Sequence, residues 1–254
     1  MWNGDYLFLT RNLIEKDFKI RYRNMSLGVL WSLLNPLIMM AIMTFIFTKI
    51  FAPPNQKNFP LYLLCGLVPL NFFTLAWVTG ASSVLENASL IKRVPVPRYI
   101  FPIASVLSNC LHLLIQIALL LALILVFGSG VNVYWLWLPL IWGLEILFVM
   151  GLALIFSAVN VYVRDTRYVI ESTNTVLFWL VPVFYSFALI PVRFRGLYQI
   201  NPVAALVLMM RNVLLEGHAP LHSTLIRLAI VAVATFGTGW FVFGKLKDGF
   251  YARL

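Results

Sequence analysis

The sequence predicts an all-α polytopic membrane protein with six transmembrane helices, an N-terminal amphipathic helix at the interface and a short outer-side helical segment between spans 5 and 6. Three observations carry that prediction. Of the 254 residues, 61% are hydrophobic and 11% charged, with a mean hydropathy of +0.90, whereas a soluble domain is about half apolar and a quarter charged. Charge is then missing from long intervals, between Arg23 and Lys49, Lys57 and Glu86, Arg98 and Glu145, Glu145 and Arg164, Glu171 and Arg193, and Arg227 and Lys245. Several of these exceed the roughly 20 residues that cross a bilayer core of about 30 Å. Finally, the alternation of a membrane barrel is absent, and lipid offers backbone groups no partners, so the spans must be helices.

The chain reads as one transmembrane domain, 1–254. Residues 1–28 form the interfacial helix, 29–190 hold spans 1 to 5, 191–221 form short outer helices, and 222–254 hold span 6 and a cytoplasmic tail. In the first segment Arg11, Glu15, Lys19 and Arg23 recur every four residues, while Leu7, Leu13, Ile14 and Phe18 fall on other faces, as in a helix lying on the inner interface. Arg11 with Glu15, and Glu15 with Lys19, are spaced to pair at i, i+4. The expected spans are 30–50, 59–85, 99–127, 131–160, 170–190 and 222–244. The interval after Arg98 is too long for one helix, and Gly128-Ser129-Gly130-Val131-Asn132 divides it into a hairpin.

The uncharged run between Arg195 and Arg211 is too short to cross comfortably. It reads as a pair of short helices lying in or dipping into the outer interface, entered at Pro191 and at Asn201-Pro202, where Asn caps and Pro takes the first helical position. The first long apolar run starts near residue 27, an order unlike that of a cleaved signal peptide. Cys65 and Cys110 fall inside spans without metal-ligand spacing and read as small core residues.

Basic residues fix the orientation. With six spans and the N-terminus inside, 13 of the 19 Lys and Arg residues fall in cytoplasmic segments: Arg11, Lys16, Lys19, Arg21 and Arg23; Lys92, Arg93 and Arg98; Arg164 and Arg167; Lys245, Lys247 and Arg253. Lys49, Lys57, Arg193, Arg195, Arg211 and Arg227 fall on the other side, so both termini are expected in the cytoplasm. Membrane orientation and anionic headgroups account for the net charge of +10 without nucleic acid.

Gly239-Trp-Phe-Val-Phe-Gly244-Lys245-Leu246 has the spacing of a phosphate-binding loop. Such a loop needs a preceding strand and a Ser or Thr after its Lys. Here Leu246 follows and the glycines end an apolar helix, so the match is accidental and Gly244-Lys245 reads as the cytoplasmic end of span 6.

Four stretches, in order among six spans, resemble a known family: Arg21-Tyr-Arg-Asn-Met-Ser-Leu-Gly-Val-Leu-Trp31-Ser-Leu-Leu-Asn35-Pro36; Glu86-Asn-Ala-Ser-Leu-Ile-Lys-Arg-Val-Pro-Val-Pro-Arg98; Val163-Arg164-Asp165; and Asn201-Pro202. Over its whole length the chain resembles the membrane subunit of polysaccharide-exporting ABC transporters of the ABC-2 type, most of all the O-antigen exporter permeases. The resemblance implies a homodimer in the bacterial cytoplasmic (inner) membrane and two copies of a separate ATPase subunit that carries the ATP and magnesium. It also implies a lipid-linked polysaccharide moved outward, as in lipopolysaccharide biosynthesis. This chain would then have no catalytic residues, cofactor or metal of its own. The 87–98 loop would be the coupling helix, with Asn87, Leu90, Ile91, Lys92, Arg93 and Arg98 at the ATPase contact and Arg164 and Asp165 as a further candidate. Independently of any family, Asn87–Arg93 can form a short helix that Pro95 and Pro97 stop.

Sugars present hydroxyls and apolar ring faces, so aromatic rings with occasional amides suit a glycan path. The candidates are Trp31, Asn35 and Phe45 in span 1, Tyr62, Phe73 and Trp77 around Pro69 in span 2, and Trp179, Phe184 and Tyr185 around Pro182 in span 5. Trp135 and Trp137 read as interfacial belt residues. His112 lies 16 residues before Gly128 and Glu145 lies 15 after Gly130, which puts them at similar depth and predicts that Glu145 meets His112 or Gln116. Two rival functions are an ion-driven secondary transporter, which would show related halves or several deep acids, and a membrane-embedded glycan- or lipid-modifying enzyme, which would show clustered His, Asp or Glu. Glu145 is the lone deep acid, and only His218 and His222, near Glu216, approach a cluster.

Overall fold

The computed structural model describes residues 5–23, 27–51, 58–128 and 130–253; Lys57, Ser129 and the 24–26 part of the first resembling stretch lie outside them. Among the described residues every regular element is helical. Helix α1 (Tyr6–Tyr22) starts at Asp5, whose side chain accepts hydrogen bonds from the Leu7 and Phe8 amides. It buries Leu13 on the side that packs against the helix Ile100–Phe127 and keeps Arg11, Glu15 and Lys19 exposed. Lys19 Nζ lies 2.6 Å from Glu15 Oε1, whereas Arg11 acts on Glu15 only through a weaker charge interaction.

Among the described residues five helical stretches are long and apolar enough to cross a membrane: Gly28–Ile50, Phe59–Arg93, Ile100–Phe127, Val133–Tyr162 and His222–Gly249. Their regular cores are α2 (Trp31–Phe45), α3 (Phe59–Glu86), α5 (Ile100–Phe127), α6 (Leu138–Tyr162) and α10 (His222–Leu246), with the short α4 (Ala88–Arg93) between α3 and α5. The chain is a multi-pass membrane protein. Prolines at the starts of α3 and α6 occupy first-turn positions, where no intrahelical donor is lost. The α5–α6 hairpin turns at Gly128 and Gly130, the latter at φ +82°, and Asn132 caps the next turn.

The expected span 170–190 is not a continuous helix. Helix α7 (Thr166–Leu180) has 15 residues, about 22 Å at 1.5 Å per residue. Pro182 cannot donate to the helix and forces Val181 into extended backbone, φ −74° and ψ 133°. The chain nevertheless traverses the bundle, because the Tyr185 carbonyl accepts a 2.9 Å bond from Tyr62 Oη at the start of α3. Two short helices follow, α8 (Val192–Ile200) and α9 (Pro202–Arg211). The latter is capped by the Asn201 side chain, which accepts from the Val203 and Ala204 amides. Helix α9 is buried against α3, so it dips into the bundle.

Arg211, counted among the outer basic residues, is 2% exposed. Its guanidinium donates to the Pro182 carbonyl and, at 2.8 Å, to the Val183 carbonyl, contacts Tyr62 Oη at 2.7 Å, and stacks 3.4 Å from the Tyr62 ring centroid. It thereby serves the carbonyls that the break at Pro182 leaves without helical partners.

Helix α3 is the hub, packing on α5, α6, α2, α7 and α9. Asn109 of α5 donates to Thr79 Oγ1 at 2.8 Å and Asn160 of α6 to the Ala81 carbonyl at 3.0 Å, polar glue between helices in an apolar setting. Helix α6 lies along α10 so closely that a Cβ on Gly239 would come within 2.5 Å of the Gly151 carbonyl oxygen, and one on Gly151 within 2.6 Å of the Phe236 amide nitrogen. The Gly239–Leu246 stretch is therefore the packed end of a helix.

Glu145 is fully buried, and neither carboxylate oxygen has a hydrogen-bond partner. The expected pairing with His112 or Gln116 does not form, because those two residues turn toward α1 and α2, where Tyr22 and Ser32 engage them. Helical depth alone does not fix which face a residue presents.

Candidate functional site: a polar groove and a basic end

Two regions of the bundle hold the chemistry. The first is an open groove of about 580 Å³ where α2, α3, α5 and α7 face one another. Helix periodicity builds its walls. Glu171, Asn174, Thr175 and Phe178 stand at i, i+3, i+4 and i+7 on α7, Asn71 and Thr74 at i and i+3 on α3, and His112 and Gln116 at i and i+4 on α5, while Asn35 comes from α2.

Pro36 shapes the α2 wall. Lacking an amide hydrogen, it leaves the carbonyl of Ser32, one turn earlier, without its helical donor, and Gln116 Nε2 of α5 supplies one at 3.3 Å. The same nitrogen is 3.0 Å from His112 Nε2, His112 Nδ1 is 3.0 Å from Tyr22 Oη, and Tyr22 Oη is 3.0 Å from Ser32 Oγ. Ser32 Oγ donates to the Val29 carbonyl at 2.6 Å. One assignment satisfies the chain: Gln116 donates to His112, His112 donates through Nδ1 to Tyr22, and Tyr22 donates to Ser32. This ties α1 to the end of the groove.

The groove also holds unused polar capacity. Asn174 is only 8% exposed, yet neither its amide oxygen nor its nitrogen has a partner, and Gln116 Oε1 likewise has none. Buried amides are normally paired. Thr74 and Thr175 donate their hydroxyl hydrogens to the Leu70 and Glu171 carbonyls, which leaves oxygen lone pairs for a guest.

Of the residues expected on a path, Asn35 lines this groove. Tyr62, Phe73, Trp77 and Phe184 are buried in the main apolar core, where Phe73 stacks on Phe148 at 5.9 Å and Phe184 on Phe47 at 6.0 Å; they are packing residues of the protomer and do not face the groove. Tyr185 is half-buried and bonds Tyr198 Oη at 3.2 Å. Trp31, Phe45 and Trp179 are exposed on the outside of the bundle. Sequence reading missed Asn71, Thr74, Glu171, Asn174 and Thr175, although polar residues at helical period within apolar runs were the available signal.

The second region is the basic end. Here a small apolar cluster, with Leu13 of α1, Ile91 of α4, Ile100 of α5, Val161 of α6 and Phe250 of α11 (Phe250–Arg253), joins the segments that carry the basic excess. Lys16 Nζ donates to Asn87 Oδ1 at 2.6 Å, and Tyr162 Oη donates to the Leu246 carbonyl at 2.8 Å. The Arg98 guanidinium stacks 4.3 Å from the Tyr251 ring and bonds the Lys247 carbonyl. On α4, Ile91 is buried and Leu90 half-buried, while Lys92 and Arg93 are exposed, as are Arg164 and Asp165. Among the described residues no three His, Cys, Asp or Glu gather as a metal-binding group.

The chain is similar to known proteins along almost its whole length. It is 32% identical to the O-antigen export system permease protein RfbA of Klebsiella pneumoniae, over 98% of this chain and 96% of that one. It is 26% identical to the RfbA permease of Myxococcus xanthus, over 96% and 95%, and 24% identical to the polysialic acid transport protein KpsM of Escherichia coli, over 89% of each. The profile of the ABC-2 type transporter family matches residues 9–215, and with that extent of agreement in a multi-pass helical bundle the chain belongs to the ABC-2 type transporter family.

Proposed function

We propose that this chain is the permease subunit of an ABC exporter that moves a lipid-linked polysaccharide across the bacterial inner membrane, powered by ATP hydrolysed in a separate ATPase subunit. The near full-length likeness to O-antigen export permeases carries this reading. Two copies of the chain and two of the ATPase make the assembly, with both termini and the basic end in the cytoplasm. The α4 surface, with exposed Lys92 and Arg93 on a helix anchored by buried Ile91, offers a stiff handle for an ATPase, and Arg164 and Asp165 stand on the same end. The polar groove is the path. Its amides and hydroxyls exchange hydrogen bonds with sugar hydroxyls, and many weak contacts let a chain advance without being trapped.

Complementation tests this reading. In a strain lacking its own export permease and ATPase, the chain together with its ATPase subunit should restore surface polysaccharide, and the chain alone should not. Restoration by the chain alone would contradict it.

A further inference from the structure

We infer that the groove accepts an uncharged, polyhydroxyl glycan and discriminates against a polyanionic one. This rests on the groove being the glycan path. Among the described residues the lining includes no lysine or arginine, and its one charged side chain is the carboxylate of Glu171. Two cations come near it from outside the lining: Arg167, exposed, holds Glu171 Oε1 at 2.9 Å, and half-buried Arg21 of α1 acts on His112 through its charge. His112 offers no free nitrogen, because Tyr22 and Gln116 occupy both.

What remains available includes acceptors that only a hydrogen donor can satisfy, beside the Asn35 and Asn71 amides, which add donors as well as acceptors. Gln116 Oε1 and Asn174 Oδ1 have no donors, and the Thr74 and Thr175 oxygens have spent their hydrogens on backbone carbonyls. A sugar hydroxyl supplies a hydrogen to each of these and takes one from the Asn174 amide. A carboxylate or sulfate only accepts. It would satisfy the Asn35, Asn71 and Asn174 nitrogens, press lone pairs against the other oxygens, and leave water with no cation in the described lining to receive it.

The test uses the purified complex of this chain with its ATPase subunit in inside-out proteoliposomes. Two lipid-linked probes of equal length are supplied: a neutral hexose polymer, and the same polymer with every second primary hydroxyl oxidised to a carboxylate. The neutral probe is expected to enter the lumen at least tenfold faster per ATP hydrolysed. Glu171→Lys, and independently Thr175→Lys, are expected to narrow that ratio to within threefold by speeding the carboxylated probe. Equal rates for the two probes in the unaltered complex overturn the inference while leaving glycan export standing. A tenfold preference that neither lysine variant shifts, with ATP turnover intact, also overturns it. Entry of neither probe removes the export reading and the inference together.

Discussion

Arg211→Met deletes a guanidinium that is 2% exposed and keeps most of the aliphatic stem. In the native fold the Pro182 and Val183 carbonyls lie past the end of α7 and take their hydrogens from Arg211. Each buried carbonyl left unpaired costs about 1–3 kcal/mol, so two put the loss at about 2–6 kcal/mol. Removing the buried cation returns part of its own desolvation cost, and loss of the stacking on Tyr62 takes back about 1 kcal/mol, which leaves about 2 kcal/mol as the floor. For a chain of this size that is a fall in Tm of about 4–8 °C. Arg211→Lys should not rescue it, since an ammonium lacks the fork that reaches both carbonyls and the Tyr62 hydroxyl together. Thermal unfolding in detergent reads the shift, and Cys substituted at Val183 should become more reactive to a thiol reagent in the Met variant. A Tm within 1 °C of the parent, with Val183→Cys still protected, would refute the assignment of Arg211 as the partner of the broken span.

Other consequences follow from equally local contacts. Gly239→Ala places a Cβ 2.5 Å from the Gly151 oxygen, where ordinary contact begins near 3.4 Å, so α6 and α10 must part by roughly 0.9 Å; the cost is about 1–3 kcal/mol, read as a lower Tm, and Gly244→Ala, with open space around it, should be neutral. Gln116→Leu orphans the Ser32 carbonyl in the native chain but less so beside Pro36→Ala, which restores the helical donor; a double-mutant cycle should give a coupling of about 1 kcal/mol. Glu15 is held below the ordinary carboxylate range by its hydrogen bond and charge interaction with Lys19. A depressed folded-state value means the pair helps above the ordinary carboxylate pKa and is lost as pH falls through the lowered one. An NMR titration should show Glu15 returning to the ordinary value in Lys19→Ala, while an unchanged value would remove the pair.

Charge gaps and turn residues made most of the architecture legible. Asn201-Pro202, Pro191 and the Gly128–Asn132 turn each mark the boundary that the backbone takes, because capping and missing amide hydrogens are local effects. The failures were three-dimensional. Span 170–190 ran straight through Pro182, and its actual course, a helix that stops at Leu180 with extended backbone at Val181, depends on Arg211 arriving from 29 residues downstream. Aromatic content pointed to Phe73, Trp77 and Phe184 as path residues, yet rings of that size also fill a core, where Phe148 and Phe156 of α6 and Phe47 just beyond α2 pack against them. Glu145 and His112 share a depth but not a facing surface. The amides of the groove carried the better signal, since a polar atom in an apolar helix must find either a protein partner or a guest.

The most direct test of the account is to place a photo-crosslinking residue at Asn174 and let the complex turn over ATP with lipid-linked glycan. Capture of glycan at position 174, dependent on the ATPase subunit and on ATP, is the predicted result. Glycan captured from Trp31 or Trp179 on the outside of the bundle while position 174 stays unlabelled under active export would contradict it.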